Sequence, residues 1–128
     1  MLKNLGWIFG IVMLLVGILG YIPAVAPNGL LFGLFMVDGI HNIIHLLTGI
    51  VAILAVMGSA NYLRLYFQVF GVVYAIVTVV GFIQGDNVLG IIMVNMADNV
   101  LHLVIAVVAL WAGFGMKDSA PMAMSSAM

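Results

Sequence analysis

The sequence predicts an all-α membrane protein: an up-down bundle of four transmembrane helices with a parallel internal repeat of helical hairpins. Composition is the first observation. Of 128 residues, 66% are hydrophobic and only 5% charged, with a mean hydropathy of +1.37. A soluble domain carries roughly a quarter charged residues, so this chain lacks the polar surface to coat a water-soluble globule. The second observation is four apolar runs, at residues 5–22, 30–57, 62–83 and 88–116. Each is near or above the roughly 20 residues that cross a bilayer. The third is that sliding the chain by 57 positions lays the second run on the fourth.

These observations also exclude. Lys3, Arg64 and Lys117 are too few and too scattered for a basic patch, so no nucleic acid is expected as a partner. The chain has no cysteine, which removes disulfides, thiolate metal sites, iron–sulfur clusters and covalent c-type haem attachment. No phosphate-binding loop, dinucleotide fingerprint, nucleophile elbow or zinc-protease motif occurs. The loops are too short for catalytic machinery, which points away from an enzyme and puts any chemistry inside the bundle.

The first span, 5–22, carries Gly6, Gly10, Gly17 and Gly20 on one face, where a neighbouring helix can pack closely. Lys3, the apolar run and Ala24-Val25-Ala26 imitate a secretory signal. The run is long, Pro27 would follow the cut and the repeat needs this span, so it is expected to be retained. Pro23, Pro27 and Asn28-Gly29 end it. Gly58-Ser59-Ala60-Asn61 separates spans two and three, and Gln84-Gly85-Asp86-Asn87 separates three and four. Such short connections make successive helices antiparallel neighbours. Spans 30–57 and 88–116 exceed the hydrocarbon thickness and should tilt or protrude. Residues 1–116 thus form the transmembrane domain and 117–128 a tail. The three cations fall on one side, which the positive-inside rule makes cytoplasmic. Both termini are then expected inside, in a cytoplasmic (inner) membrane, with Trp7, Tyr62 and Tyr66 in an aromatic belt.

At the offset of 57, Gly33 falls on Gly90, Met36 on Met93, Asn42 on Asn99, His45 on His102 and Leu46 on Leu103, while Asp38 falls on Asn95 and His41 on Asp98. Spans one and three match only weakly at that offset. Spans two and four run in the same direction, so the repeat is parallel, with its axis along the membrane normal. Asp38, His41, Asn42, His45 and Thr48 share one helix face, and Asn95, Asp98, Asn99 and His102 repeat it. At 1.5 Å per residue, His45 and His102 are expected roughly 20 Å inward from the starts of their runs, near mid-membrane. Polar groups facing lipid cost several kcal/mol each, so both stripes turn inward and form one polar seam, with Tyr74 beside it.

Several functions fit such a seam. Asn and His can act as hydrogen-bonding glue between membrane helices, at about 0.6–2 kcal/mol each. The leading expectation is therefore a non-enzymatic membrane subunit or accessory protein, in which Asn42, His45, Asn99 and His102 fix the bundle or hold a ligand. It would have the bilayer, and a membrane-protein partner or second copy, as neighbours. The first alternative is a divalent metal site. His41/His45 and Asp98/His102 are both i, i+4 pairs, and together offer nitrogens and a carboxylate suited to zinc, or to iron or manganese with added water. The second is ligation of haem or another tetrapyrrole by His45 and His102, which sit at matched depth. A proton or ion pathway through Asp38, His41, His45, Asp98 and His102, with Tyr74 or Thr78 as relays, is the third.

The chain also carries Gly33-Leu-Phe-x-Val37, His41-Asn42-x-x-His45-Leu-x-x-Gly49, Phe70-Gly71-Val-Val-Tyr74 and Val94-Asn95-x-x-Asp98-Asn99-x-x-His102-Leu103. From about residue 5 to 113, this pattern resembles a family of small bacterial four-span membrane proteins catalogued as a domain of unknown function (type 4383). The resemblance implies the four-span fold and draws attention to Asn42, His45, Asn99 and His102. It implies no substrate or cofactor.

Overall fold

The computed structural model describes residues 1–116; the tail at 117–128, with Lys117 and Asp118, lies outside the described residues. Among the described residues, four helices are long and apolar enough to cross a membrane. They are α1 (Leu2–Leu19), α2 (Gly39–Met57), α3 (Ala60–Gln84) and α4 (Met96–Leu110), the last prolonged by a π turn at Trp111–Gly115. Their outward residues, such as Ile11, Leu47, Ile76 and Val107, are large and aliphatic. This is the surface that lipid tails cover.

The second and fourth helices begin later than their apolar runs, at Gly39 and Met96 and not at Leu30 and Val88. The residues ahead of each form a small hairpin. β1 (Leu30–Leu31) pairs antiparallel with β2 (Phe35–Met36), and β3 (Asn87–Val88) with β4 (Ile92–Met93). In each, two central turn residues take positive φ: Phe32 at 56° and Gly33 at 71°, Leu89 at 56° and Gly90 at 70°. Tight hairpin turns of this hand need positive φ at both central positions, which no right-handed helix can supply. Hydropathy alone cannot separate such an apolar hairpin from a helix turn. The 19 residues of α2 then span about 28 Å, so no excess length remains to be tilted away.

Helices pack where side chains vanish. A Cβ built on Gly10 would meet Ile53 and Ala52, one on Gly17 would meet Leu46, and one on Gly20 would run into Asn42. Gly6 faces Val56 and Leu63. The glycine face of α1 is therefore spent on neighbours within the chain. In α3, Gly71 faces Leu110 and Gly81 faces Asn99, while Gly113 lies against Gln68. Phe9 of α1 sits edge-on to Tyr66 and Phe67 of α3, at 6.1 and 5.5 Å between ring centroids. Tyr66, expected in the interfacial belt, is instead only 5% exposed, and its hydroxyl donates to the Thr48 carbonyl at 2.8 Å. Because α3 starts at Ala60, Tyr66 lies more than a turn inside it, on the face toward α2. Tyr62 remains exposed, as a belt residue requires.

At the end of the molecule bearing Arg64, its guanidinium donates to the carbonyls of Ala112 and Gly113 at 3.5 and 3.3 Å. Gln68 Nε2 donates to the Gly113 carbonyl at 2.9 Å. These bonds satisfy carbonyls that the end of the helix leaves open.

Close approach at glycine predicts a graded response. A Cβ at Gly49 would lie 2.8 Å from the Gly10 carbonyl oxygen, whereas Gly39 has nothing within 4 Å. Gly49→Val is expected to cost about 1–3 kcal/mol as overpacking. Gly39→Ala should leave stability unchanged or slightly raised. Thermal melting in detergent, followed by gel filtration, checks both.

Candidate metal centre

The site begins at two helix N-termini. A helix leaves its first backbone N–H groups without intrahelical partners, and in a membrane each must be satisfied by the protein. Asp38 caps α2: one carboxylate oxygen accepts from the His41 N–H at 2.8 Å, the other from the Met93 N–H on β4 at 2.9 Å. Asn95 caps α4. Its side-chain oxygen accepts from the Asp98 N–H at 3.0 Å, and Asp98 accepts from the Asn95 N–H at 2.9 Å, completing a capping box. Asn95 Nδ2 then donates to the Leu34 carbonyl at 2.8 Å, in the hairpin ahead of α2. Each helix start is thereby tied to the hairpin that precedes the other helix. Asp38 and Asn95, expected inside the membrane as members of a stripe, are caps at helix starts. There a carboxylate is favoured by free N–H groups and the helix dipole.

Below the caps, His41 and His45 of α2 and His102 of α4 converge. All three are buried. Ring centroids lie 4.5 Å apart for His41–His45, 5.5 Å for His41–His102 and 6.1 Å for His45–His102. One ligand nitrogen from each lies within 4.8 Å of the others. His45 and His102 follow the first helical residues, Gly39 and Met96, by under two turns, or about 9 Å, and not the 20 Å expected from the apolar runs. The cluster is therefore displaced from mid-helix toward the hairpins.

The ring nitrogens carry the chemical information. His41 Nδ1–H donates to the Met93 carbonyl at 3.0 Å, which leaves a lone pair on Nε2. His41 Nε2, both nitrogens of His45 and His102 Nδ1 are buried without a hydrogen-bond partner among the described residues. A cavity of about 150 Å³ adjoins them, lined also by Thr48 and Tyr74. Tyr74 stands edge-on to His102 at 5.7 Å. Thr48 donates its one hydroxyl proton to the Ile44 carbonyl at 2.8 Å, so Tyr74 donates to Thr48 Oγ1 at 3.0 Å.

The remaining residues expected at the site have separate duties. Asp98 lies beside the cluster with its carboxylate on the Asn95 N–H and the Met36 backbone as a second neighbour. Asn99 Nδ2 donates to the Gly81 carbonyl at 3.1 Å, and Asn42 packs on Gly20. The two asparagines thus face α3 and α1. Tyr66 is the polar residue whose role sequence reasoning missed. Its eight-residue spacing from Tyr74 put both on one helix face, the available signal that its hydroxyl also points inward.

Fold and site together define a class: a small integral membrane protein with a buried His/His/His cluster near Asp98. Residues 3–115 match the model of the family described as Domain of unknown function (DUF4383), and the chain belongs to that family. No curated protein and no solved structure matches it.

Because Asp38 serves two N–H donors, its replacements should rank. Asp38→Ala loses both bonds and is expected to cost about 1–2 kcal/mol. Asp38→Asn keeps one acceptor oxygen and should cost less. Melting temperatures in one detergent test the order.

Proposed function

We propose that this protein is a membrane subunit that holds one divalent transition-metal ion on His41 Nε2, His102 Nδ1 and one nitrogen of His45. The observation that supports it is the convergence of three buried histidines, one ring nitrogen of each within 4.8 Å of the others, in a place where several imidazole nitrogens have no hydrogen-bond partner. A tetrahedral zinc ion with Zn–N bonds near 2.0–2.1 Å holds its nitrogens about 3.3 Å apart, so small side-chain rotations close the site. The His41 Nδ1–H···O=C bond to Met93 is the kind of support that fixes tautomer and ring direction in metal-binding histidines. An imidazole set suits zinc, with iron, copper or nickel as competitors, and disfavours magnesium and calcium. Asp98 contributes nearby negative charge, and Tyr74 lines the space left for a small further ligand.

The tetrapyrrole alternative has no observation of its own beyond the paired placement of His45 and His102 on α2 and α4. The pathway alternative gains little from Tyr74, because its chain of donors ends on the Ile44 backbone carbonyl.

The architecture around the ion is read as an up-down bundle made by duplication of a helical hairpin. In its favour, the two β-hairpins share one register at an offset of 57: Leu30↔Met36 and Asn87↔Met93. Helices α1 and α3 follow a different offset, 61, which carries Gly10 to Gly71 and Gly20 to Gly81. Gly20 and Gly81 face Asn42 and Asn99 respectively, and these asparagines are again 57 apart. By the positive-inside rule, Lys3 and Arg64 support an N-terminus and an end of α4 on the cytoplasmic side of a bacterial inner membrane.

Two measurements test these readings. Tag-free protein purified without chelator should carry one zinc per chain by elemental analysis. His41→Ala, His45→Ala and His102→Ala should each weaken zinc binding at least 100-fold while keeping native helicity by circular dichroism. Metal-free protein that also rejects added zinc, or variants that bind as well as the parent, would refute the centre. Orientation is accessible because the chain has no native cysteine. Lys3→Cys should resist a membrane-impermeant thiol reagent in spheroplasts and Asp86→Cys should react; the reverse pattern would invert the topology.

A further inference from the structure

A second concavity opens between α1 and α4. It is lined by residues from Leu5 to Val16 on one side and from Leu101 to Val108 on the other, with a volume of about 260 Å³. The stretch from Leu5 to Val16 is about 16 Å long as helix. Its walls are aliphatic and aromatic, and its outer residues Ile8, Val12 and Val104 are exposed on the surface that lipid covers. One polar residue reaches it. His45 lines this groove and the polar cavity alike, and stands at the end near Val16, since Gly17 packs on Leu46.

His45 also has one nitrogen too many. Both nitrogens of His45 are buried without a hydrogen-bond partner, at 3% exposure. A metal ion takes one of them. The other then carries the ring proton and needs an acceptor, because a buried donor left unpaired is destabilising. No described side chain supplies that acceptor, and the apolar groove is the route by which one can arrive.

We propose that the α1–α4 groove binds a neutral, bilayer-soluble carbonyl compound of the quinone type. Its alkyl tail lies along Phe9, Val12 and Leu101 toward Leu5, and its carbonyl oxygen accepts from the ring N–H of His45. The assignment rests on the metal reading, which decides that the spare nitrogen is a donor. A hydrocarbon tail alone offers no acceptor. Phospholipid ester carbonyls lie at the edge of the hydrocarbon, whereas His45 sits about 9 Å beyond the start of α2. A carboxylate at that depth adds the cost of burying a charge in the bilayer, which a neutral carbonyl avoids.

Zinc-loaded, full-length protein in detergent is titrated with decylubiquinone, with decylbenzene as the carbonyl-free control and zinc content measured on every sample. Saturable binding is expected, with a carbonyl stretching band moved to lower frequency by the hydrogen bond. Decylbenzene should bind at least tenfold more weakly. Val12→Trp and Val104→Trp fill the groove from its lipid side and should weaken decylubiquinone binding at least tenfold while zinc stays at one per chain. Unchanged binding in both variants, equal affinity for decylbenzene, or no binding to zinc-loaded protein would each overturn the groove assignment and leave the metal centre standing. Protein that takes no zinc yet binds decylubiquinone in a Val104-dependent manner would overturn the metal centre and the donor role given to His45, with the groove itself retained.

Discussion

The histidine cluster of this molecule depends on the way two helices begin. The first turns of α2 and α4 carry backbone N–H groups that must be satisfied at the edge of a bilayer, where an unpaired donor costs several kcal/mol. Asp38 satisfies that of His41 and Asn95 that of Asp98, Asp98 in turn accepts from the Asn95 N–H, and Asp38 and Asn95 each extend a further bond to the opposite hairpin. The cap of one helix is therefore also the clasp of the other. Since His41, His45 and His102 stand on the first two turns below those caps, fixing the helix starts fixes the imidazoles relative to one another.

The same capping explains an asymmetry. His41 and Asp98 occupy corresponding positions, three residues after their caps. Asp98 turns back to its own cap, whereas His41 crosses to the Met93 carbonyl and presents Nε2 to the other rings. Three inward imidazoles result where a symmetric pair of helices would have given two or four. Glycine supplies the remaining geometry. Gly20 and Gly81 let Asn42 and Asn99 pack directly against α1 and α3, which keeps these amides out of the cluster and the rings in it.

Much of this was legible in the residues, and the failures have physical causes. Charge scarcity and run length identified the spans, and the matching polar stripes of spans two and four drew attention to His41, His45, Asp98 and His102, of which the structure brings the three histidines together. The starts of α2 and α4 were misplaced because Leu30, Leu31, Phe35 and Met36 are as apolar in a hairpin as in a helix. Gly33 and Gly90 held the contrary signal, as did Asp38 and Asn95 in cap position. The depth of the histidines followed the same error. Spans one and three are weakly alike at an offset of 57; at 61, Gly10 falls on Gly71 and Gly20 on Gly81, while Gly6 and Gly17 fall on Phe67 and Thr78. Tyr66 was assigned to the interfacial belt because Arg64 is close in sequence, whereas its i+4 ridge with Phe70 and Tyr74 is the face that α3 turns inward.

A three-imidazole centre on the first turns of two helices has one direct spectroscopic signature. Zinc K-edge X-ray absorption on tag-free protein should show a shell of nitrogen neighbours at about 2.0–2.1 Å with the outer-shell scattering of three histidine rings, and His102→Ala should reduce it to two. A shell of oxygen neighbours alone, or a spectrum untouched by loss of His102, would contradict the account.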